Sequence, residues 1–326
     1  MNDEVNPTPL PQSVARDEFI ASLSQKISSI LGSLIPRDSS VALVDFPNHA
    51  NVGDSSIWLG ERAYLDSIGV SIVYTCDQSN YSQLELTRRL KDGTILIHGG
   101  GNLGDLWPHH QHLREAIVKA FPQNKIIQLP QSIFFKDKIN LKRATDVLNG
   151  HPDLTLLIRE KQSFEFARNE FEARCILCPD SAFMLGSFDR PLPPRKEILW
   201  LSRTDSELRG GLFPSIGEDV EKTDWLEETE LVIEANQSTL ETYDSLAKKR
   251  LIRGYCILSI GKIVITDRLH GHILSLLLGI PHIILDNNYG KVKSFYETWT
   301  KDSESAHWAN SPIEALALAR AYLRGL

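Results

Sequence analysis

Three segments of the 326-residue chain hold side chains whose types and spacing suit chemistry. Thr266-Asp-Arg-Leu-His-Gly-His272 follows a β-branched run and opens an apolar one, the pattern of a strand turning into a helix. Arg268 offers a planar fork for a carboxylate or phosphate, and His270 can give up a proton near neutral pH. Both fall in a first helical turn, whose positive end attracts anions; an ordinary turn there would hold acids. Asp267 is the expected N-cap. His272 faces either the core or the site. A second segment, His98-Gly-Gly-Gly-Asn-Leu-Gly-Asp-Leu-Trp107, follows the apolar run Thr94–Ile97. Gly99, Gly100 and Gly101 leave backbone N–H groups bare for an anion or a sugar hydroxyl. Asn102 and Asp105 add side-chain donors and acceptors, and Trp107 a stacking face. The spacing is neither the dinucleotide fingerprint nor a P-loop. The third segment is Asn51-Val-Gly-Asp54, where Gly53 allows a tight turn into a capped helix. That helix start is either a ligand cradle or an ordinary cap.

Other residues are weaker candidates. Arg159 and Arg203 each follow a strand-like run, and Asn287-Asn-Tyr-Gly-Lys291 follows another. His109, His110 and His112 suggest a metal, but adjacent helical histidines point apart and no carboxylate set completes a site. They read as a wet helix face, and no metal is expected. Cys175 and Cys178 form a C-x-x-C with no second pair, so they read as small apolar residues at a strand end.

Positioning these residues requires elements, and the hydrophobic pattern supplies them. A helical period runs from Phe19 to Leu34. Strand-length runs follow at Val41–Val44, Val70–Tyr74, Thr94–Ile97, Lys125–Leu129, Leu154–Ile158 and Cys175–Leu177, with helices predicted over 55–68, 83–90, 110–121, 138–148 and 160–171. Short, wholly apolar strands between helices predict an α/β fold with parallel sheets covered on both faces. The Pro-rich stretch Gly186–Arg195 has no period and reads as a linker. Beyond it, strands are predicted at Ile198–Leu201, Ile263–Thr266 and His282–Leu285, and helices over 237–261, 268–278, 290–300 and 311–324. Three parts follow: a loose tail over 1–15, one domain over 16–186 and a second over 195–326. Two such halves imply a cleft outside the carboxyl ends of the strands.

Composition narrows the function. With 35 basic and 42 acidic residues the net charge is −7, and both halves share the excess. No basic face is available for nucleic acid or an anionic membrane, so an anion must be caught locally. No apolar run reaches the roughly 18 residues of a membrane span, and the amino-terminal segment lacks a signal-peptide pattern, so a cytoplasmic protein is expected. The stretch Glu218–Glu234 carries eight acids and one lysine around Trp225 and reads as a solvated loop or a contact surface.

As an ordered set, these motifs resemble the polysaccharide pyruvyl transferases. The resemblance rests on Asn51-Val-Gly-Asp54, Gly99 to Trp107, Leu129-Pro-Gln-Ser-Ile-Phe134, Arg159-Glu-x-x-Ser163, Pro179-Asp-Ser-Ala182, Ser202-Arg-Thr-Asp205, Asp267 to Leu274 and Asp286 to Trp299. It implies two Rossmann-like domains facing a central cleft, as in GT-B glycosyltransferases. It implies transfer of pyruvate from phosphoenolpyruvate to a sugar of a bacterial exopolysaccharide or its lipid-linked repeat unit, the material of biofilms. The product is a cyclic ketal, and phosphate leaves. No cofactor is implied, since phosphoenolpyruvate is itself the donor substrate. Arg268, Leu269 and His270 map onto the family's donor motif, with His270 as general acid. A further donor arginine is expected, with Arg159 and Arg203 competing, and Lys291 is placed beside them. Asn51, Gly53, Asp54, Gly100, Gly101, Asn102, Asp105 and Trp107 fall to the acceptor, with Asp54 or Asp105 as the base. The competing readings are a nucleotide-sugar glycosyltransferase and a non-catalytic binding subunit. Oligomeric state and a peripheral site at the inner membrane face are left open.

Overall fold

The computed structural model describes residues 12–210, 213–227 and 237–325. The chain forms an α/β fold around two parallel sheets. In the first, β1 (Ser40–Val44) lies between β2 (Ser71–Cys76) and β3 (Thr94–Ile97), and the order continues through β5 (Ile126–Phe134), β6 (Leu154–Ile158) and β7 (Arg174–Leu177). A short strand, β4 (Gly100–Gly104), pairs with the far end of β5. In the second sheet the order is β12 (Ala306–Trp308), β11 (His282–Ile284), β10 (Gly261–Thr266), β8 (Lys196–Leu201) and β9 (Val220–Thr223). Every pairing is parallel. Parallel strands need crossovers, and helices α2 (Val52–Ser67), α3 (Gln83–Leu90), α4 (Pro108–Ala120), α5 (Lys138–Asn149) and α6 (Lys161–Glu170) supply them in the first sheet. In the second sheet, α7 (Leu240–Leu258), α8 (Leu269–Leu277) and α9 (Lys291–Phe295), the last followed by one turn of π-helix over Tyr296–Thr300, do the same, and α10 (Pro312–Gly325) follows the last strand.

The central strands are apolar because helices cover both of their faces: every residue of β6 is buried, as are Val41–Val44. Strands β4, β9 and β12 lack that signature. Val220–Thr223 corrects the reading of the acidic stretch as a loop, and the part of that stretch beyond 227 lies outside the described residues. The first helix, α1, spans Gln12–Gly32 and so begins inside the segment read as a loose tail; residues 1–11 lie outside the described residues. Among the described residues no helix is long and apolar enough to cross a membrane. The four cysteines are free thiols, and Cys76 and Cys178 are buried.

The two sheets share a core. One apolar cluster joins Leu43, Trp58 and Leu129 of the first half to Leu199, Tyr243 and Leu274 of the second. Helix α2 is the main contact. Its Trp58 indole and Arg62 guanidinium both donate to Asp244 on α7, at 2.8 and 3.0 Å. Gly53 and Gly60 lie seven residues apart, hence on one helix face. A Cβ at Gly60 would overlap the Ser181 carbonyl, and one at Gly53 would sit 2.5 Å from the His270 ring. These glycines let a 3₁₀ turn (Ser181–Leu185) and the start of α8 press against α2. The stretch after Gly186 is likewise docked, with Phe188 N–H on Leu277 O and Arg195 N–H on Ile260 O.

Candidate active site

Strand ends of both sheets open on a cavity of about 400 Å³. Asn51, Asp54, Gly101, Asn102 and Trp107 line it from the first sheet's side. Arg203, Arg268, Leu269, His270 and Lys291 line it from the second, and Arg159 enters from the end of β6. The residues expected for donor and acceptor therefore meet in one space. Gly53 and Gly100 stand just behind it: Gly53 backs the His270 ring, and Gly100, at φ +123°, lies against Asp54.

Asp105 has another job. Its carboxylate accepts from the backbone N–H groups of Lys136 and Asp137, at 2.8 and 2.7 Å, and ties the glycine-rich loop to the entry of α5. That removes it as a base, because both oxygens are taken by backbone donors outside the cavity lining. Asp267 is not a cap either. The N-cap of α8 is Arg268, with no side-chain cap bond, while Asp267 accepts the Arg203 N–H at 2.9 Å. Thr266 Oγ1 accepts the Arg268 N–H at 3.1 Å, but no N-cap side chain covers the N–H groups that follow, and Arg268, Leu269 and His270 at this positive end line the cavity. Asn51 does cap α2, accepting from Gly53 N–H at 3.1 Å, and its amide donates to Asp54 at 2.8 Å.

Carboxylates back the cations. Arg268, 2 % exposed, grips both oxygens of Asp224, at 2.6 and 2.7 Å, and reaches Asp205 at 3.3 Å. Asp224 comes from the acidic stretch, just past β9, which gives that stretch a role in the site. Arg203 forks Asp205 at 2.8 and 2.9 Å. Lys291 pairs with Glu207, and burial pushes its ammonium down to about 8 although Glu207 pulls the other way. Arg159 differs from the other arginines. Its Nε donates to Ser132 and one terminal nitrogen to Asp180, both at 2.8 Å. The other terminal nitrogen faces Gly101, where a Cβ would sit 3.1 Å from it and 3.3 Å from Lys291 Nζ. Two cationic groups thus converge on a backbone that only glycine leaves open.

His270 lies beside that pair. Its Nε2 is 3.4 Å from Asp180 Oδ2, an ion-pair distance at which the ring is poorly aligned for a full hydrogen bond. Burial alone would raise the Asp180 carboxyl, but His270, Arg159 and the Ala182 N–H hold it well below the usual carboxylate range. Asp180 is therefore an anion that orients both Arg159 and His270. Glu160, buried next to Arg159, is pushed up to about 7 by burial and receives the Ser132 hydroxyl at 2.9 Å. Asp180 and Glu160 sit inside the motifs Pro179-Asp-Ser-Ala182 and Arg159-Glu-x-x-Ser163, and their burial beside a site cation is what sequence reasoning missed. His272, two residues on, belongs to the core. Its Nδ1 meets His282 at 2.7 Å and its Nε2 meets Thr300 at 2.8 Å.

The histidine cluster also needs correction. His109 and His112 are exposed, but His110 turns inward to Asp45 at 2.8 Å and lines the cavity. Among the described residues no group of three or more His, Cys, Asp or Glu could hold a metal ion.

Comparison with known proteins fixes the family. The polysaccharide pyruvyl transferase model matches residues 51–289, which include every cavity-lining residue expected above except Lys291. The chain belongs to the polysaccharide pyruvyl transferase family. It is 36 % identical over 286 residues to Pyruvyl transferase 1 of Schizosaccharomyces pombe, covering 79 % of this chain and 69 % of that one. It is 33 % identical over 297 residues to a pyruvyl transferase candidate of Bacillus subtilis, EpsO, covering 85 % and 90 %. A crystal structure of an uncharacterised Klebsiella pneumoniae protein superposes with a TM-score of 0.59 at 19 % identity, over 89 % of this chain and 99 % of that one, a likeness of fold. The protein is thus a transferase enzyme. As a member of this family it acts on a saccharide acceptor.

Proposed function

We propose that this pyruvyl transferase moves pyruvate from phosphoenolpyruvate to two hydroxyls of one sugar in an exopolysaccharide or its lipid-linked repeat unit. The products are a cyclic ketal and phosphate. The observation that carries this reading is the convergence of Arg159 and Lys291 on Gly101, next to His270 and the uncapped start of α8. A small polyanion with a carboxylate at one end and a phosphate at the other suits two cations and a helix end set around one open backbone. Arg159, rather than Arg203, is the second donor arginine in this reading, because its second terminal nitrogen meets Lys291 at the open Gly101 backbone. Arg268 completes the donor wall from behind its Asp224 clamp. The two sheets act as the two Rossmann-like domains of a GT-B-type enzyme, and donor and acceptor meet between them.

His270 acts as the general acid. It delivers a proton to the donor, at the methylene carbon or at the departing phosphate, while Asp180 holds the imidazolium in place. The carbon left electron-poor is attacked by one sugar hydroxyl and then by a second. The arginines and lysine stabilise the charge gathering on phosphate, the largest single contribution expected in such a site. Asn51, Asp54, Asn102 and Trp107 receive the sugar on the opposite wall. Phosphoenolpyruvate is a substrate here, and the reading uses no cofactor. It also places the enzyme in the cytoplasm, where that donor is made.

The test is direct. Purified protein with phosphoenolpyruvate and methyl glycosides bearing a free 4,6-diol should release inorganic phosphate and give a new ketal methyl signal by NMR. Release of nucleoside diphosphate from a nucleotide sugar, with no phosphate from phosphoenolpyruvate, would overturn the reading.

A further inference from the structure

A second histidine–carboxylate pair faces the same cavity from the other sheet. His98 directly follows β3, its N–H on Val44 O at 3.0 Å, and lines the cavity. Its Nδ1 lies 2.8 Å from Glu61 Oε2, and both side chains are 1 % exposed. The second Glu61 oxygen accepts the Gly99 N–H at 2.8 Å, which locks the carboxylate and the start of the glycine-rich loop together. Nδ1 therefore carries the proton shared with Glu61. The other ring nitrogen, Nε2, is buried and has no hydrogen-bond partner. An unpaired buried nitrogen is costly unless it has work to do. Across the cavity Asp180 approaches His270 at Nε2, at 3.4 Å and without hydrogen-bond alignment, so the two pairs differ in which ring nitrogen the carboxylate faces.

We propose that the His98–Glu61 pair is the general base that takes the proton of the attacking sugar hydroxyl, with His98 catalytic and Glu61 positioning it. The inference rests on the pyruvyl-transfer reading and assigns the half of its proton traffic that His270 does not carry. In the first step the hydroxyl O–H bond breaks and its proton passes to His98 Nε2. The oxygen bonds to C2 of phosphoenolpyruvate, and the C2=C3 electron pair takes a proton from His270 to make the methyl group. In the second step the other hydroxyl replaces phosphate at C2, and the C2–O pair leaves with phosphate. Its proton restores His270, and the proton on His98 departs with the phosphate. Two hydroxyl hydrogens end on one methyl group and one phosphate, and nothing is oxidised or reduced.

Asp54 is the rival base on the same wall, and its surroundings argue against it. Burial would raise its carboxyl, but His49, His270, His98 and Arg159 together hold it below its usual range, which makes it a weak acceptor. For His98, burial works against the charged form, and Glu61, Asp54 and Asp45 outweigh it, so the ring is more basic than usual. The groups facing His98 are thus three carboxylates and the Trp58 ring at 5.9 Å, with His49 close enough to feel its charge.

The experiment follows phosphate release from phosphoenolpyruvate with methyl galactoside, glucoside and mannoside, between pH 5 and 9, for wild type, H98Q, E61Q and D54N. H98Q should lose at least about 10²-fold in kcat and the acidic limb of the pH profile, with KM for phosphoenolpyruvate nearly unchanged. E61Q should lose roughly tenfold and move that limb to lower pH by about one unit, since the carboxylate that favours the charged ring is gone. D54N should keep the limb and move it to lower pH by less than E61Q does, since Asp54 favours the charged ring less than Glu61. If H98Q fails to fold, the E61Q profile carries the test, together with the His98 ring titration by NMR in wild type and E61Q. A His98 titration that E61Q leaves unmoved, or an H98Q enzyme with wild-type kcat, overturns the pair. Wild type that releases no phosphate with any of the three sugars overturns the pyruvyl-transfer reading, and this role with it.

Discussion

Helix α2 begins at Asn51, whose side chain takes the Gly53 N–H, whereas α8 begins at Arg268, whose side chain makes no cap bond and whose own N–H is the one taken by Thr266 Oγ1. The two starts face one cavity from opposite sheets. The capped one stands among Asn51, Asn102, Trp107, His98 and His110, with the Asp54 carboxylate beside them. The uncapped one stands among Arg203, Arg268 and Lys291, and Arg159 reaches across to join them. A side-chain cap satisfies the N–H groups that would otherwise bind an anion. Under the proposed pyruvyl transfer, the difference sorts the walls by substrate charge: sugar on the capped side, phosphate and carboxylate on the open one. On that reading a chain of net charge −7 holds its anion by local means. The cations are few, and Asp180, Asp205, Glu207 and Asp224 fix them in place.

The sharpest way to break this sorting is at His270. H270A should lower kcat by about 10²-fold or more while the protein still folds and binds phosphoenolpyruvate, because the ring packs on Gly53 without a core hydrogen bond. Steady-state phosphate release and a thermal melt read the two halves of that statement. A wild-type rate would remove the open wall from the chemistry.

His272 sets the contrast within one helix. It is buried and neutral, bonded to His282 and Thr300, and burial depresses both histidines, His282 to about 4. A histidine whose folded pKa lies below its unfolded value of 6.5 gives stability that is complete above 6.5 and is lost as pH falls toward 4. The loss from His282 alone is about 3 kcal/mol at its limit. The melting temperature should therefore drop between pH 6.5 and 4.5, and H282Q should flatten that drop. An equal drop in H282Q would mean that other groups carry the acid lability.

Gly101 tests the cradle itself. An alanine methyl there would sit between Arg159 and Lys291, in the space assigned to the donor anion. G101A should raise KM for phosphoenolpyruvate about tenfold and change kcat less, since ground-state binding is what the methyl obstructs. A rise in acceptor KM instead would move the boundary between the walls.

How much of this was legible in the chain follows from burial. The central strands could be read because both faces are covered, which leaves runs such as Leu154–Ile158 wholly apolar. Strands β9 and β12 lie at sheet edges, and β4 is built from Gly-Gly-Asn-Leu-Gly, so their sequences carry no such mark and tertiary pairing decides them. The site cations were visible as arginines, a lysine and a histidine after strand ends. Their carboxylate partners were not. Asp224 and Glu207 come from stretches of irregular or polar composition, and Glu61 sits in the middle of a helix where a lone acid reads as solvent-facing. Only the fold turns each toward its partner.

Asp105 gives the smallest effect and the most pointed control. It lies in the glycine-rich motif three residues from Asn102, yet its oxygens hold the N–H groups of Lys136 and Asp137. D105N keeps one acceptor oxygen and offers an NH₂ to the other backbone donor. That should cost about 1 kcal/mol of stability, the usual scale for one hydrogen bond turned unfavourable. Since the carboxylate is committed outside the cavity lining, kcat and the pH profile should stay within about twofold of wild type. A D105N enzyme with intact stability but a collapsed kcat would return Asp105 to the acceptor wall. It would also mean that the glycine-rich loop moves on sugar binding, bringing that carboxylate to a hydroxyl it does not face in this structure.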